Sequence, residues 1–125
     1  MGLDQYAYRC KLESLSDKQV DFENPDDASQ FFYWRKHPDL QGWMRNLYLS
    51  KGGKDEEFNC SAVRLDLSDL TKLEDTVKKM DLPHTTGFFF GTSDGYEEVG
   101  NDLDFVKQAK QIIEDGGAVF YTSWW

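Results

Sequence analysis

Segment 31–44 constrains the fold most, because it joins clustered aromatic and basic side chains to a regular helical pattern. Pro38 has no amide hydrogen to lose and suits the first turn of a helix. Apolar side chains then recur three and four residues apart, forming one stripe: Leu40, Trp43, Met44, Leu47 and Tyr48. Gly52-Gly53 ends the pattern. The sequence therefore predicts a helix from residue 38 to 50 or 51, whereas residues 31–34 fit a short helix or an extended lead-in.

Four segments show patterns that are typical of β-strands. Residues 3–12 alternate, with Tyr6, Tyr8, Cys10 and Leu12 on the apolar face and Gln5, Ala7, Arg9 and Lys11 opposite, which predicts a half-buried strand. Residues 60–67 also alternate and predict a strand with one wet face. Residues 85–92 carry three consecutive phenylalanines between two glycines, which predicts a central strand covered on both faces. Residues 118–124 predict the last strand.

Two further helices are predicted between these strands. Ser68 or Thr71 can cap the first, and Thr71 and Glu74 have capping-box spacing. Asn101 or Asp102 can cap the second, which two glycines end at 116–117. We therefore expect a single α+β domain: a mixed or mainly antiparallel four-stranded sheet with about three helices on one face. Strict alternation of strands and helices would favour a parallel sheet, but the first two strands each show a polar face.

The charge of the chain indicates which partners it can bind. Fourteen basic and 23 acidic side chains give a net charge of −9, which repels nucleic-acid phosphate and anionic lipid. We expect a partner protein with a basic surface, without direct nucleic-acid binding or membrane association. Two acidic runs form the predicted contact surface, although each also fits a solvated loop or helix end: Asp17, Asp21, Glu23, Asp26 and Asp27, and Asp94, Glu97, Glu98, Asp102 and Asp104.

Aromatic and basic side chains form a second candidate binding region. Arg35 and Lys36 stand beside Tyr33, Trp34 and Trp43, a combination that can stack on and pair with a planar anionic ligand such as a nucleotide. In the alternative interpretation, the two tryptophans anchor the core and the basic side chains extend into solvent. Further aromatic contact residues are predicted at Tyr96 and Trp125, and we expect Trp125 to be exposed or to cover a sheet edge.

No motif identifies a catalytic, metal or cofactor site. His37 and His84 have no partner at a metal-ligand spacing, and a Cys60/His84 dyad has no sequence support. The three glycines at 87, 91 and 95 lack phosphate-loop spacing. The acidic residues at 94–104 do not match a calcium loop. We therefore expect no catalytic residue, metal or cofactor. Cys10 and Cys60 are predicted to be reduced, buried thiols, and with no signal peptide recognised we expect a cytoplasmic location.

Three motifs carry a resemblance to known sequences. The start MGLDQY, the YWRK segment at 33–36 followed by LQGW at 40–43, and TGFFFG at 86–91 together resemble a group of uncharacterised small bacteriophage proteins. Gln41 departs from that pattern, which often has histidine there. The resemblance implies an accessory protein in the host bacterial cytoplasm. We expect it to bind and inhibit a host-defence or nucleic-acid-handling protein through an acidic, aromatic-flanked surface. The alternative is a nucleotide-like ligand bound by segment 33–43.

Overall fold

The computed structural model describes the backbone of residues 2–85 and 95–125, and the side chains of 2–85 and 98–125. The described elements are, in chain order, β1 (Asp4–Lys11), α1 (Leu12–Leu15), β2 (Ser29–Arg35), α2 (Pro38–Ser50), β3 (Ala62–Leu65), α3 (Leu67–Lys78), α4 (Gly95–Glu114) and β4 (Gly117–Trp124). Apart from Thr85, the predicted strand at 85–92 lies outside the described residues, as does Asp94.

The strands form an antiparallel sheet, which confirms the predicted α+β class. The four described strands lie in the order β2-β1-β4-β3, and every pair is antiparallel. The two central strands pair over their whole length, from Asp4 opposite Trp124 to Lys11 opposite Gly117. Residues 31–34 belong to β2, so the extended alternative holds there. The predicted strand 3–12 ends at Lys11, and Leu12 begins the short helix α1.

Apolar side chains cover both faces of the sheet. On one face, which we call the helix face, α2, α3 and α4 pack their buried residues against Trp34, Val63 and Tyr121. On the opposite face, Leu15 of α1 and Phe22 of the following loop pack around Cys10, Ala118 and Phe120. The three long helices thus lie on one side, as the sequence predicts.

The burial of β1 is the reverse of the prediction at residues 5–8, although Cys10 is buried as predicted. Gln5 and Ala7 are fully buried on the helix face, whereas Tyr6 and Tyr8 are only half-buried on the opposite face. A polar side chain can occupy this central position because its amide is fully bonded: Gln5 donates to His37 O and to Tyr121 Oη and accepts from His37 N. Hydrophobic alternation alone gives no sign of such bonding.

Several predicted element ends also shift. Asp66 rather than Ser68 or Thr71 caps α3: its carboxylate accepts from Asp69 N, and the Asp69 carboxylate accepts from Asp66 N. The helix can begin earlier because Asp66 follows β3 directly. Helix α4 begins at Gly95, ahead of the predicted caps. The predicted burial of Cys60 is wrong: this free thiol is exposed and precedes β3, while Cys10 is buried.

The Asp66 cap generates a stability prediction. Burial raises the pKa of the Asp66 carboxyl, but the Asp69 amide hydrogen bond and the nearby Lys51 ammonium outweigh it, and the folded pKa is lowered. Such a group stabilises the fold above its unfolded pKa of about 3.9, and this stabilisation is lost as the pH falls through the lower folded value. We expect Asp66→Ala to lower the free energy of unfolding by about 1 kcal/mol at pH 7.

Urea unfolding at several pH values checks this expectation. The difference in free energy of unfolding between the original chain and Asp66→Ala should decrease as the pH is lowered from about 5 to about 2. Asp66→Asn is the matched control, because a neutral amide caps without titrating. Equal stability of Asp66→Ala and the original chain at pH 7 would show that this cap contributes nothing.

Candidate functional site

The face of the sheet away from the long helices exposes a group of aromatic side chains. Residues paired directly across antiparallel strands point to the same side, so the register places Tyr6 beside Tyr33 and Asp4 beside both Arg35 and Trp124. The rings of Tyr6 and Tyr33 are 5.5 Å apart. Tyr33 is 45% exposed and Trp124 is 65% exposed. We call this surface the aromatic sheet face; it consists of Asp4, Tyr6, Tyr33, Arg35 and Trp124.

Charged groups are interleaved with these rings. Tyr33 Oη donates to Asp4 Oδ1 at 2.5 Å, and this hydrogen bond raises the pKa of Tyr33. The hydroxyl therefore stays protonated at neutral pH. Arg35 is exposed, and together with Gly2, Asp4, Trp124 and Trp125 it borders an open groove of about 500 Å³.

Trp125 is partly buried, so the exposed alternative does not hold. Its backbone exchanges two hydrogen bonds with the Asn59 side chain, at 3.0 and 2.8 Å, and its indole Nε1 donates to Phe58 O. These bonds hold the residue against loop 55–61 and leave it partly buried. Trp124, its neighbour on the strand, is the exposed indole.

The loop that carries the early acidic run reaches the aromatic sheet face at Asn24. Asp17, Asp21, Glu23, Asp26 and Asp27 lie on the loop from 16 to 28 and are all exposed. Asn24 of this loop lines a shallow groove with Tyr6 and Trp124. The loop thus reaches the exposed rings through a neutral side chain, whereas Asp27 lies beside Lys11 at the other end of β1.

Two of these loop acids are also bonded to the rest of the fold. Asp27 accepts from Lys11 N and Ser14 Oγ, both at 2.7 Å, and these bonds lower its pKa. Asp21 accepts from Tyr48 Oη, which ties the loop to α2. The loop is thus fixed at both places rather than held by apolar packing alone.

The described side chains of the late acidic run, those of Glu98, Asp102 and Asp104, lie in the helix layer on the other side of the sheet. Asp104 is exposed and accepts from Gln108. Glu98 is half-buried, and Asp102 is only 1% exposed. Asp102 therefore does not belong to a surface: α4 begins early enough that this residue faces the core one turn before Phe105 and Val106. The side chains of Tyr96 and Glu97 lie outside the described residues.

Segment 33–43 does not assemble into one pocket. The alternation of β2 turns Trp34 into the core while Tyr33 and Arg35 point to the opposite side. Trp43 packs from α2 against the helix-face core. Lys36 is exposed, and its backbone N–H donates to Leu3 O. The two tryptophans therefore serve as core residues, as the alternative interpretation holds.

A buried cluster around His37 was not predicted. His37 Nε2 lies 2.8 Å from Asp102 Oδ2 and 3.5 Å from Glu98 Oε2. Trp34 Nε1 donates to the other Asp102 oxygen at 3.0 Å. Within the described part of the chain, His37, Glu98 and Asp102 form the group whose possible metal-ligand atoms lie within 4.8 Å of one another. We call these three residues the His37 cluster.

The spacing of residues in the sequence indicates only the two acidic members of this cluster. Glu98 and Asp102 are four residues apart, a spacing that puts two side chains on one face of a helix. His37 precedes Asp102 by 65 residues, and the contact between them depends on the tertiary fold.

A chain of buried polar groups continues from this cluster. Gln5 bonds the backbone of His37 and the hydroxyl of Tyr121. Tyr121 Oη donates to Gln41 Oε1 at 2.6 Å, and Gln41 Nε2 donates to Phe58 O at 3.1 Å. Burial raises the pKa of Tyr121, so its hydroxyl remains a donor. Gln41, the residue that departs from the resembled pattern, thus joins α2 to β4 here.

Compared with protein-family models, curated proteins and solved structures, the chain matches none. Among the described residues, no helix is both long enough and apolar enough to cross a bilayer.

The buried polar chain generates a second stability prediction. Tyr121→Phe removes a fully buried hydroxyl and deprives Gln41 Oε1 of its donor. An unsatisfied buried acceptor costs about 1–3 kcal/mol, and we expect the free energy of unfolding to fall by that amount. Urea unfolding measures it. Tyr33→Phe is the control, since its exposed hydroxyl should matter by less than about 0.5 kcal/mol; equal effects of both variants would contradict the prediction.

Proposed function

We propose that this chain is an accessory protein that binds and inhibits a partner protein carrying a basic surface. The observation that carries the proposal is the aromatic sheet face, where Tyr33 and Trp124 are exposed and Asn24 of the acidic loop lines a groove with Tyr6 and Trp124. Exposed tryptophan and tyrosine are common centres of binding energy in protein interfaces. The acids of the loop would form the charged rim that attracts and orients the partner.

The charge of the whole chain supports a basic partner. A net charge of −9 disfavours phosphate and favours lysine- and arginine-rich surfaces. The arrangement uses only the early acidic run, because the described side chains of the late run lie in the helix layer. The acidic loop would occupy a basic groove of the partner, and the rings would exclude water from the centre of the contact.

The resemblance to bacteriophage proteins favours a particular setting. It makes a host bacterial protein of the cytoplasm, from a defence system or from nucleic-acid handling, the expected partner. Occupying the basic groove of such a protein would block its own polyanionic ligand, and this is the mechanism of inhibition that we propose.

A second candidate function rests on the open groove beside Arg35. A guanidinium and the exposed indole of Trp124 border this groove of about 500 Å³. A planar anionic ligand could stack on the indole and pair with Arg35. This differs from a pocket built by segment 33–43, since Trp34 and Trp43 take no part. A thermal-shift assay against a panel of nucleotides tests this function. A nucleotide that binds the groove should raise the melting temperature of the protein.

We predict that aromatic and acidic residues contribute separately to partner binding. After affinity purification from host lysate identifies a partner, its affinity is measured by calorimetry. We expect Tyr33→Ala/Trp124→Ala to weaken binding at least about tenfold at any salt concentration, because desolvated rings are little affected by screening. Glu23→Gln/Asp26→Asn should weaken binding a few-fold at low salt and hardly at all at high salt.

Matched variants on the helix layer provide the controls. Met80→Ala removes another exposed apolar side chain, and Asp75→Asn/Asp104→Asn removes the same charge from the other side of the sheet. Neither should change the affinity. A partner whose binding responds to these controls, or ignores the Tyr33/Trp124 change, would contradict the assigned surface.

A further inference from the structure

We propose that the His37 cluster binds one divalent transition-metal ion. This site is separate from the aromatic sheet face, because it lies on the opposite side of the sheet between α4 and the start of α2. One imidazole nitrogen and two carboxylate oxygens converge there: His37 Nε2, Asp102 Oδ2 and Glu98 Oε2. These are atoms that Zn²⁺, Mn²⁺ and Fe²⁺ accept as ligands.

The spacing of the three atoms suits a shared ion. Ligands at about 2.0–2.2 Å from a metal are separated from each other by about 3–3.5 Å in tetrahedral or octahedral geometry. His37 Nε2 is 2.8 Å from the Asp102 oxygen and 3.5 Å from the Glu98 oxygen. The Asp102 and Glu98 oxygens lie within 4.8 Å of each other, so the two carboxylates would move closer together to share the ion.

Neighbouring groups already orient the ligands. Trp34 Nε1 holds Asp102 Oδ1, which leaves Oδ2 directed at His37. Gln5 fixes the His37 backbone through both its N–H and its C=O. A hydrogen bond to a ligating carboxylate, like that from Trp34, is a regular feature of metal sites and fixes the orientation of the ligand.

The burial of charge also favours a cation. The side chains of His37 and Asp102 are 2% and 1% exposed, and that of Glu98 is 19% exposed. The ionised form of each carboxylate carries a charge of −1. Burying such a charge is costly, whereas a divalent ion bound to a neutral imidazole cancels both carboxylates.

The adjoining space leaves room for more than the ion. A cavity of about 70 Å³ is lined by the cluster, by Asp39 and by apolar side chains of α3, α4 and the segment after α3. Three protein ligands would leave coordination positions for further ligands, and this cavity is large enough for a few water molecules. The imidazole ligand favours a transition metal over Ca²⁺, which takes six to eight oxygens.

The competing explanation is that the His37–Asp102 hydrogen bond only ties α4 to the start of α2. The two explanations differ at Glu98. A metal needs its carboxylate charge, whereas the His37–Asp102 and Trp34–Asp102 bonds do not involve it. Glu98→Gln is therefore the informative variant, and Asp104→Asn, an exposed acid on the same helix, is the matched control.

The test uses the full chain after treatment with a chelator. Zn²⁺ and Mn²⁺ are titrated in a calorimeter, and the melting temperature is measured with and without each ion. We expect binding of one ion per chain and a rise in melting temperature on binding. Glu98→Gln should weaken binding more than about tenfold, and Asp104→Asn should leave it unchanged.

Two results would overturn the proposal. One is the absence of saturable binding of both ions; the other is equal affinity in Glu98→Gln and the original chain. Zinc binding that survives Glu98→Gln but disappears in Cys60→Ser would assign the ion to the exposed thiol instead. Mn²⁺ distinguishes the two sites, because it prefers oxygen and imidazole ligands to thiolate.

Discussion

The Gln5 amide, buried at the centre of the sheet, is the constraint on which the rest of the helix face depends. It bonds both backbone groups of His37 and the hydroxyl of Tyr121. It thereby fixes the point at which the chain leaves β2 and enters α2. The Tyr121 hydroxyl in turn donates to Gln41, which lies in α2. Because these groups are buried, each must keep its partner, and the orientation of α2 against the sheet follows from hydrogen bonds as well as from apolar packing.

Asp102 makes the corresponding connection for α4. One carboxylate receives the indole N–H of Trp34 and faces the imidazole of His37, so β2, α4 and the start of α2 meet at a single charged group. Apolar residues of similar size could join these elements without the cost of removing charge from water. A polar junction at this position is therefore more than packing requires, and it supplies ligand atoms that apolar residues could not.

Local signals explain what the sequence predicts well. Helix α2 has its proline, its stripe and its glycine stop within one short stretch, and its predicted bounds agree with the structure. In β2, four consecutive aromatics carry no period, so only the pairing with β1 shows that Trp34 faces inward and Tyr33 outward. The burial of Gln5 depends on partners 32 and 116 residues away. The His37 cluster likewise depends on a contact across 65 residues, which no spacing rule detects.

The register of β1 links the two candidate sites. Asp4 and Tyr6 point to the aromatic sheet face, while Gln5 between them points to the helix face. A slip of one residue would exchange every side chain between the faces. It would bury the Asp4 carboxylate and expose Gln5, so His37 would lose its support. The hydrogen bonds of Gln5 oppose that slip. One buried amide therefore fixes both where the exposed rings gather on one side of the sheet and where the imidazole meets its carboxylates on the other.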